Sequence, residues 1–165
     1  MAITTRVPLG SAATVNVMAR VLVTGMSGAG KTTILDELRR RGHLAVDTDY
    51  DRWDLPDGTW DERMDRMLAR HPGRDRLRHR GDQARFYDRF EHVVLLSAPL
   101  EVLFERVSTR TNNPYGKAVE QRAEIASYVQ TVEPLLRRGA TLELDGQSPV
   151  SELADTIERL VTGAS

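Results

Sequence analysis

The sequence predicts a three-layer α/β sandwich built on a mostly parallel sheet. Three observations support this class. Short apolar runs of strand length alternate with segments whose apolar residues recur at helical spacing. The first run, residues 20–24, passes through a glycine-rich turn straight into a helical segment. The strongest run, Val93-Val94-Leu95-Leu96 after His92, is apolar without a break, as suits a strand covered on both faces.

The elements follow in order. After the strand at 20–24 and the turn at 25–32, residues 33–40 read as a helix, which Gly42 is placed to stop. His43-Leu44-Ala45-Val46 forms a second short strand ending in Asp47-Thr48-Asp49. Trp60, Met64, Met67 and Leu68 share one face of a helix and read as core. Pro99 opens a helix after the strand at 92–96, with Leu100, Leu103, Phe104 and Val107 as its buried stripe. Residues 111–116, Thr-Asn-Asn-Pro-Tyr-Gly, are a turn-rich loop. Ile125, Tyr128, Val129 and Val132 then mark one face of a helix that Pro134 ends or kinks. The last strand spans 141–145. Ser148-Pro149 starts a final helix with Val150, Leu153, Ala154, Ile157 and Leu160 facing inward.

Composition narrows the function classes. The chain of 165 residues has the size of one domain with a proper core. A net charge of −1 gives no global attraction to nucleic acid or anionic membranes. The absence of cysteine excludes disulfides and thiolate zinc sites and suits a cytoplasmic protein. No apolar stretch has the length of a membrane span. Residues 1–18 are small, polar and aperiodic and read as a disordered tail ahead of one domain at 19–162, with Met18 a candidate start.

The turn Gly25-Met26-Ser27-Gly28-Ala29-Gly30-Lys31-Thr32 fits the pattern G-x-x-x-x-G-K-[ST] and has the strand before it and helix after it that this pattern needs. Glycines let such a loop close around a phosphate with its N–H groups inward, and the helix N-terminus adds partial positive charge. Gly25, Ser27, Gly28, Ala29, Gly30, Lys31, Thr32 and Thr33 are therefore the candidate nucleotide-binding residues, with Lys31 reaching the β- and γ-phosphates and Thr32 a ligand for Mg²⁺. Asp47 and Asp49 stand two apart at the end of a strand, so both side chains leave on the same side. They serve either the chemistry at the phosphates or the capping of a loop.

Residues 70–89 break the pattern. An ordinary sheet of this class places a buried strand between the second strand and Val93. This stretch instead carries seven arginines and two histidines against three aspartates, which burial would leave uncompensated. It is a solvated insertion, an arginine-rich arm for a phosphate or acidic partner, or the trace of a lost strand.

With these motifs in hand, the chain resembles the small P-loop kinases of the shikimate kinase and gluconate kinase type, within the nucleoside monophosphate kinase-like group. It is also similar to small actinobacterial P-loop proteins described as AAA-family ATPases. The resemblance covers residues 20–160, and its most specific part is the pair formed by residues 25–32 and Asp47-Thr48-Asp49. It implies a P-loop NTPase sandwich, with ATP and Mg²⁺ as cofactors and phosphoryl transfer to a hydroxyl of a small molecule. It further implies that Asp47 joins Thr32 at the metal, Asp49 contacts the acceptor hydroxyl, and a mobile lid around 110–122 brings Arg110, and with it Lys117, over the phosphoryl group. Arg106 and Arg122 are further cations of that region, and residues 145–149 match the loop that packs on adenine. Arg52 and Arg63 are candidates to bind an anionic acceptor. Such a protein works with a nucleotide and an acceptor, without membrane or nucleic acid, as a monomer or weak dimer.

The chain also departs from that family. The glycine pair that shikimate kinases carry after the third strand is absent, and the arginine-rich stretch stands there instead, so the acceptor pocket does not transfer. A nucleotide hydrolase or switch, and a non-catalytic nucleotide binder, remain as alternative readings.

Overall fold

The computed structural model describes residues 2–4, 19–47 and 89–163. The helix expected around Trp60–Leu68 and nearly all of the arginine-rich stretch lie outside these residues, as do Asp49, Arg52 and Arg63.

Among the described residues the elements are β1 (Ala2–Thr4), β2 (Val21–Thr24), α1 (Lys31–Arg40), β3 (Leu44–Val46), β4 (His92–Ser97), α2 (Leu100–Thr109), α3 (Val119–Thr131), α4 (Glu133–Gly139), β5 (Leu142–Asp145) and α5 (Val150–Thr162). The sheet order is β3-β1-β2-β4-β5. β2, β4 and β5 run parallel, with Leu22 beside Val93 and Val94 beside Leu142. The central strands are apolar because helices cover both faces; Val21, Leu22 and Val23 of β2 and Val93 to Leu96 of β4 are all buried.

Among the described residues, the sheet position between β2 and β3 is filled from near the start of the sequence. β1 lies between β2 and β3 and is antiparallel to both, with Ala2 opposite Leu22 and Val46. Residues 2–4 were expected to belong to a disordered tail; they are a strand. A buried sheet position demands backbone partners, and these residues supply them.

The helices pack as their apolar spacing requires. Ile34, Leu35 and Leu38 of α1, Leu103 and Val107 of α2, Ile125 of α3, and Leu153, Ala154, Ile157 and Val161 of α5 are buried in one core. Two expected inward residues differ. Val150 is 36% exposed, because the first turn of α5 opens onto the cavity described below, and Tyr128 is 42% exposed, because its hydroxyl reaches Glu124 on the surface. Pro134 lies in the first turn of α4, so the chain breaks between α3 and α4 as expected.

At the other end of β2 the chain buries charge. Arg20 and Glu91 are paired at the entry to β2 and β4, and the Arg20 carbonyl accepts from the N–H groups of Glu91 and His92. Among the described residues no helix is long and apolar enough to cross a membrane.

Candidate functional site

The site begins where β2 ends. Residues 25–30 turn back over the carboxyl end of the sheet, and the Ala29 N–H donates to the Met26 carbonyl at 3.1 Å. Gly30 precedes α1 at φ +105°, and α1 has neither a side-chain N-cap nor an acidic residue in its first turn. The N–H groups at its start are thus left for a bound anion, which the helix dipole favours. Gly28 sits against α2 at φ +90°, and a Cβ there would lie 2.8 Å from the Leu103 carbonyl oxygen and 3.1 Å from Val107 Cγ1. Only glycine allows that approach.

Lys31 folds back over the loop, its Nζ donating to the carbonyls of Gly25 at 2.8 Å and Met26 at 3.3 Å. One residue on, the Thr32 hydroxyl donates to Asp47 Oδ2 at 2.9 Å. Asp47 follows β3 and is 2% exposed. A buried carboxylate beside a hydroxyl is a pair of hard oxygen donors. Mg²⁺ binds through one or two such groups and keeps its remaining positions for water and phosphate oxygens, so the residues present fit that ion. Among the described residues there is no cluster of three or more acidic or histidine side chains that would hold a metal without a phosphate.

α2 closes the opposite wall. Arg106 Nη1 donates to the carbonyls of Gly28 (3.4 Å) and Ala29 (3.3 Å), and its Nη2 donates to Gly146 after β5 (2.9 Å). One turn further, Arg110 Nη2 donates to Ser27 Oγ at 3.1 Å and to the Tyr115 carbonyl at 2.7 Å. Arg110 Nε is buried and has no hydrogen-bond partner among the described residues. A cavity of about 470 Å³ lies between these walls, the size of a small-molecule site. Its lining comes from residues 27–34 of the loop and α1, Arg106 and Thr109 of α2, Arg110 just past its end, Asn112 and Asn113 of the following loop, and Gly146, Ser148, Val150 and Leu153.

The loop after α2 is tied to α3. Tyr115 OH donates to Glu124 Oε2 at 2.6 Å, and Tyr128 OH donates to Glu124 Oε1 at 2.8 Å. Burial, and then the Glu124 carboxylate beside it, push the Tyr115 hydroxyl up to about 12. The same hydrogen bonds, from Tyr115 first and Tyr128 second, hold Glu124 below the usual carboxylate range.

The sequence-predicted residues thus fall into three groups. Ser27, Gly28, Ala29, Gly30, Lys31, Thr32, Thr33 and Arg110 share the cavity, while Gly25 and Asp47 adjoin it through Lys31 and Thr32. Lys117 is exposed and does not line the cavity; its carbonyl accepts from Arg122 Nη1 at 2.7 Å. Asp49 lies outside the described residues. Sequence reasoning gave Asn112 and Asn113 only a turn role and left Arg106 in second place. The available signal was the spacing of Arg106 and Arg110 at i and i+4, which puts both guanidinium groups on one helix face.

Comparison with known proteins agrees with this architecture. A family model described as an AAA domain matches residues 21–127. Among solved structures, a shikimate kinase from Acinetobacter baumannii in complex with shikimate superposes with a TM-score of 0.57 at 17% identity, over 90% of this chain and 95% of that one. The protein TT1252 from Thermus thermophilus superposes with a TM-score of 0.55 at 16% identity, over 88% of this chain and 97% of that one. No curated protein matches the chain. The matched residues make up more than half of the sequence and contain the phosphate loop, Asp47 and both cavity arginines; the chain belongs to the AAA domain family, with the P-loop fold of small kinases.

Proposed function

We propose that the protein is a kinase that moves the γ-phosphoryl group of ATP to a hydroxyl of a small-molecule acceptor. The convergence of the phosphate loop, the Thr32–Asp47 pair and Arg110 on one cavity carries this reading. The N–H groups of residues 28–33 bind the phosphates, and Lys31 neutralises charge on the β- and γ-phosphates. Thr32 and Asp47 hold Mg²⁺, which when bound offsets phosphate charge. Arg110, fixed by Ser27 and the Tyr115 carbonyl, presents its remaining donors to the transferring group. The acceptor oxygen attacks the γ-phosphorus, the bond to the β–γ bridging oxygen breaks, and ADP leaves. Asp49, placed by the sequence pattern two residues beyond Asp47, orients the hydroxyl and takes its proton.

The likeness in fold to a shikimate kinase supports the reaction class. Shikimate is not proposed as the acceptor, because the glycine pair that adjoins it in that family is absent here. Titration calorimetry with MgATP on the wild type and on Lys31→Ala tests the nucleotide site: we expect binding that weakens at least about tenfold in the variant, the loss of a strong charge-assisted contact. A screen of hydroxylated metabolites with ADP detection tests the transfer. ADP release that ignores every acceptor would replace the kinase with a nucleotide hydrolase.

A further inference from the structure

We infer that Glu124 is a positioning residue, which holds the loop after α2 against the phosphate loop and so presets Arg110 for the nucleotide. The inference rests on the nucleotide-binding reading given above.

The contacts form one chain. Arg110 Nη2 bridges two loops, taking Ser27 Oγ on one side and the Tyr115 carbonyl on the other. The direction of the guanidinium therefore depends on where Tyr115 is held. Tyr115 is fixed at its far end, where its hydroxyl donates to one oxygen of Glu124 while Tyr128, one turn along α3, donates to the other. Both oxygens of the carboxylate are engaged by neutral hydroxyls, and no ion pair is recorded for Glu124 among the described residues. A carboxylate set between two phenols on a helix surface gives little net charge attraction, but it locks a geometry.

Other side chains of α3 grip the same loop from its backbone side. Gln121 Oε1 accepts from the N–H groups of Gly116 (2.8 Å) and Ala118 (3.3 Å), and Arg122 donates to the Lys117 carbonyl (2.7 Å). Within the loop, Asn113 Oδ1 accepts from the Tyr115 N–H at 2.9 Å. The Tyr115 ring packs on the core beneath, so the anchor is stiff at both ends. The segment expected to be a mobile lid is thus held shut from α3, and Glu124 is its outermost fastening.

Glu124 is exposed and contributes nothing to the core, so its substitution leaves the fold intact. The test compares wild type, Glu124→Ala and Glu124→Gln by hydrogen exchange at residues 110–118 and by calorimetry with MgATP and MgADP. In Glu124→Ala the loop amides exchange about tenfold faster, and the preference for MgATP over MgADP falls about fivefold, because Arg110 acts on the γ-phosphate. Glu124→Gln, which keeps one good acceptor, gives an intermediate result. Unchanged exchange overturns the inference whatever the nucleotide does. Faster exchange with an unchanged MgATP to MgADP ratio also overturns it, leaving Glu124 a fastening without effect on Arg110. If the wild type binds neither nucleotide, the nucleotide reading fails and the inference about Arg110 fails with it, while the exchange data still report whether Glu124 holds the loop.

Discussion

Gly28 and Gly42 offer a controlled comparison of what the phosphate loop costs to build. Both lie at nearly the same backbone angle, φ +90° and +91°, yet a Cβ at Gly42 meets nothing within 4 Å, whereas one at Gly28 lies 2.8 Å from the Leu103 carbonyl oxygen and 3.1 Å from Val107 Cγ1. Alanine at a positive φ costs about 1–2 kcal/mol, and about 0.4–1 kcal/mol returns because the unfolded chain loses freedom. Gly42→Ala should therefore destabilise by about 1 kcal/mol. Gly28→Ala carries the same backbone term plus overpacking against α2, another 1–3 kcal/mol or so, for a total of about 3 kcal/mol. In a domain of this size these values lower the melting temperature by roughly 3 °C and 9 °C respectively. Thermal and urea unfolding of both variants measures the difference, and MgATP calorimetry should show binding lost in Gly28→Ala and kept in Gly42→Ala. Equal shifts in the two proteins would refute the argument that the loop is wedged against α2.

Further outcomes follow from the same geometry. Asp47→Asn and Thr32→Val should each reduce the gain in ATP affinity on adding Mg²⁺ by about tenfold while leaving metal-free ATP binding nearly unchanged, as calorimetry with and without EDTA would show. Glu37 is held down to about 2, from an ordinary value of 4.5, by its hydrogen bonds to Arg40 and then Arg41. Its folded-state value is depressed, so its contribution is complete above about pH 4.5 and is lost as the pH falls toward 2. Urea midpoints between pH 2 and 6 should accordingly fall less steeply in Glu37→Gln than in wild type. Deleting residues 1–17 removes β1, which pairs with β2 at two positions and β3 at three. At about 0.5–1 kcal/mol for each ladder contact, the loss is on the order of 2–5 kcal/mol, read by urea unfolding; unchanged stability would show that β1 does not serve the sheet.

The parts of the fold that the sequence reveals are those whose information is local. β4 is legible because both faces are covered and every residue from Val93 to Leu96 is apolar. The glycine-rich loop at 25–32 is legible because its pattern is contiguous in the sequence and stands between a strand and a helix. α5 shows the limit of periodicity: Ile157 and Val161 are buried four apart, but the same stripe extended backwards to Val150 reaches a residue that lines the cavity. The latch on the loop is half legible, since Glu124 and Tyr128 stand at i and i+4 on one helix, whereas Tyr115 reaches them only through the turn at 111–116. β1 has no local signal. Three residues are too few for a periodic pattern, and their partners lie far along the chain, so pairing alone makes them a strand.

That pairing also resolves the conflict raised by the arginine-rich stretch. Between the second and third apolar runs the family pattern calls for a buried strand, and seven arginines in 20 residues forbid one there. Among the described residues, β1 takes the position between β2 and β3. An antiparallel strand satisfies the same backbone groups as a parallel one, and it can be supplied from elsewhere in the sequence without a crossover helix. The substitution has a consequence for chemistry. Among the described strands, β3 joins the sheet only through β1. Asp47 follows β3, so its placement 2.9 Å from the Thr32 hydroxyl rests on β1 as well as on α1, where Arg39 Nε donates to the Ala45 carbonyl at 2.9 Å. The Thr32–Asp47 pair proposed to hold Mg²⁺ is therefore coupled to β1 as well as to α1, while the loop at 25–30 stands on β2 and β4. Loss of β1 should then weaken Mg²⁺-dependent nucleotide binding more than binding of the nucleotide alone.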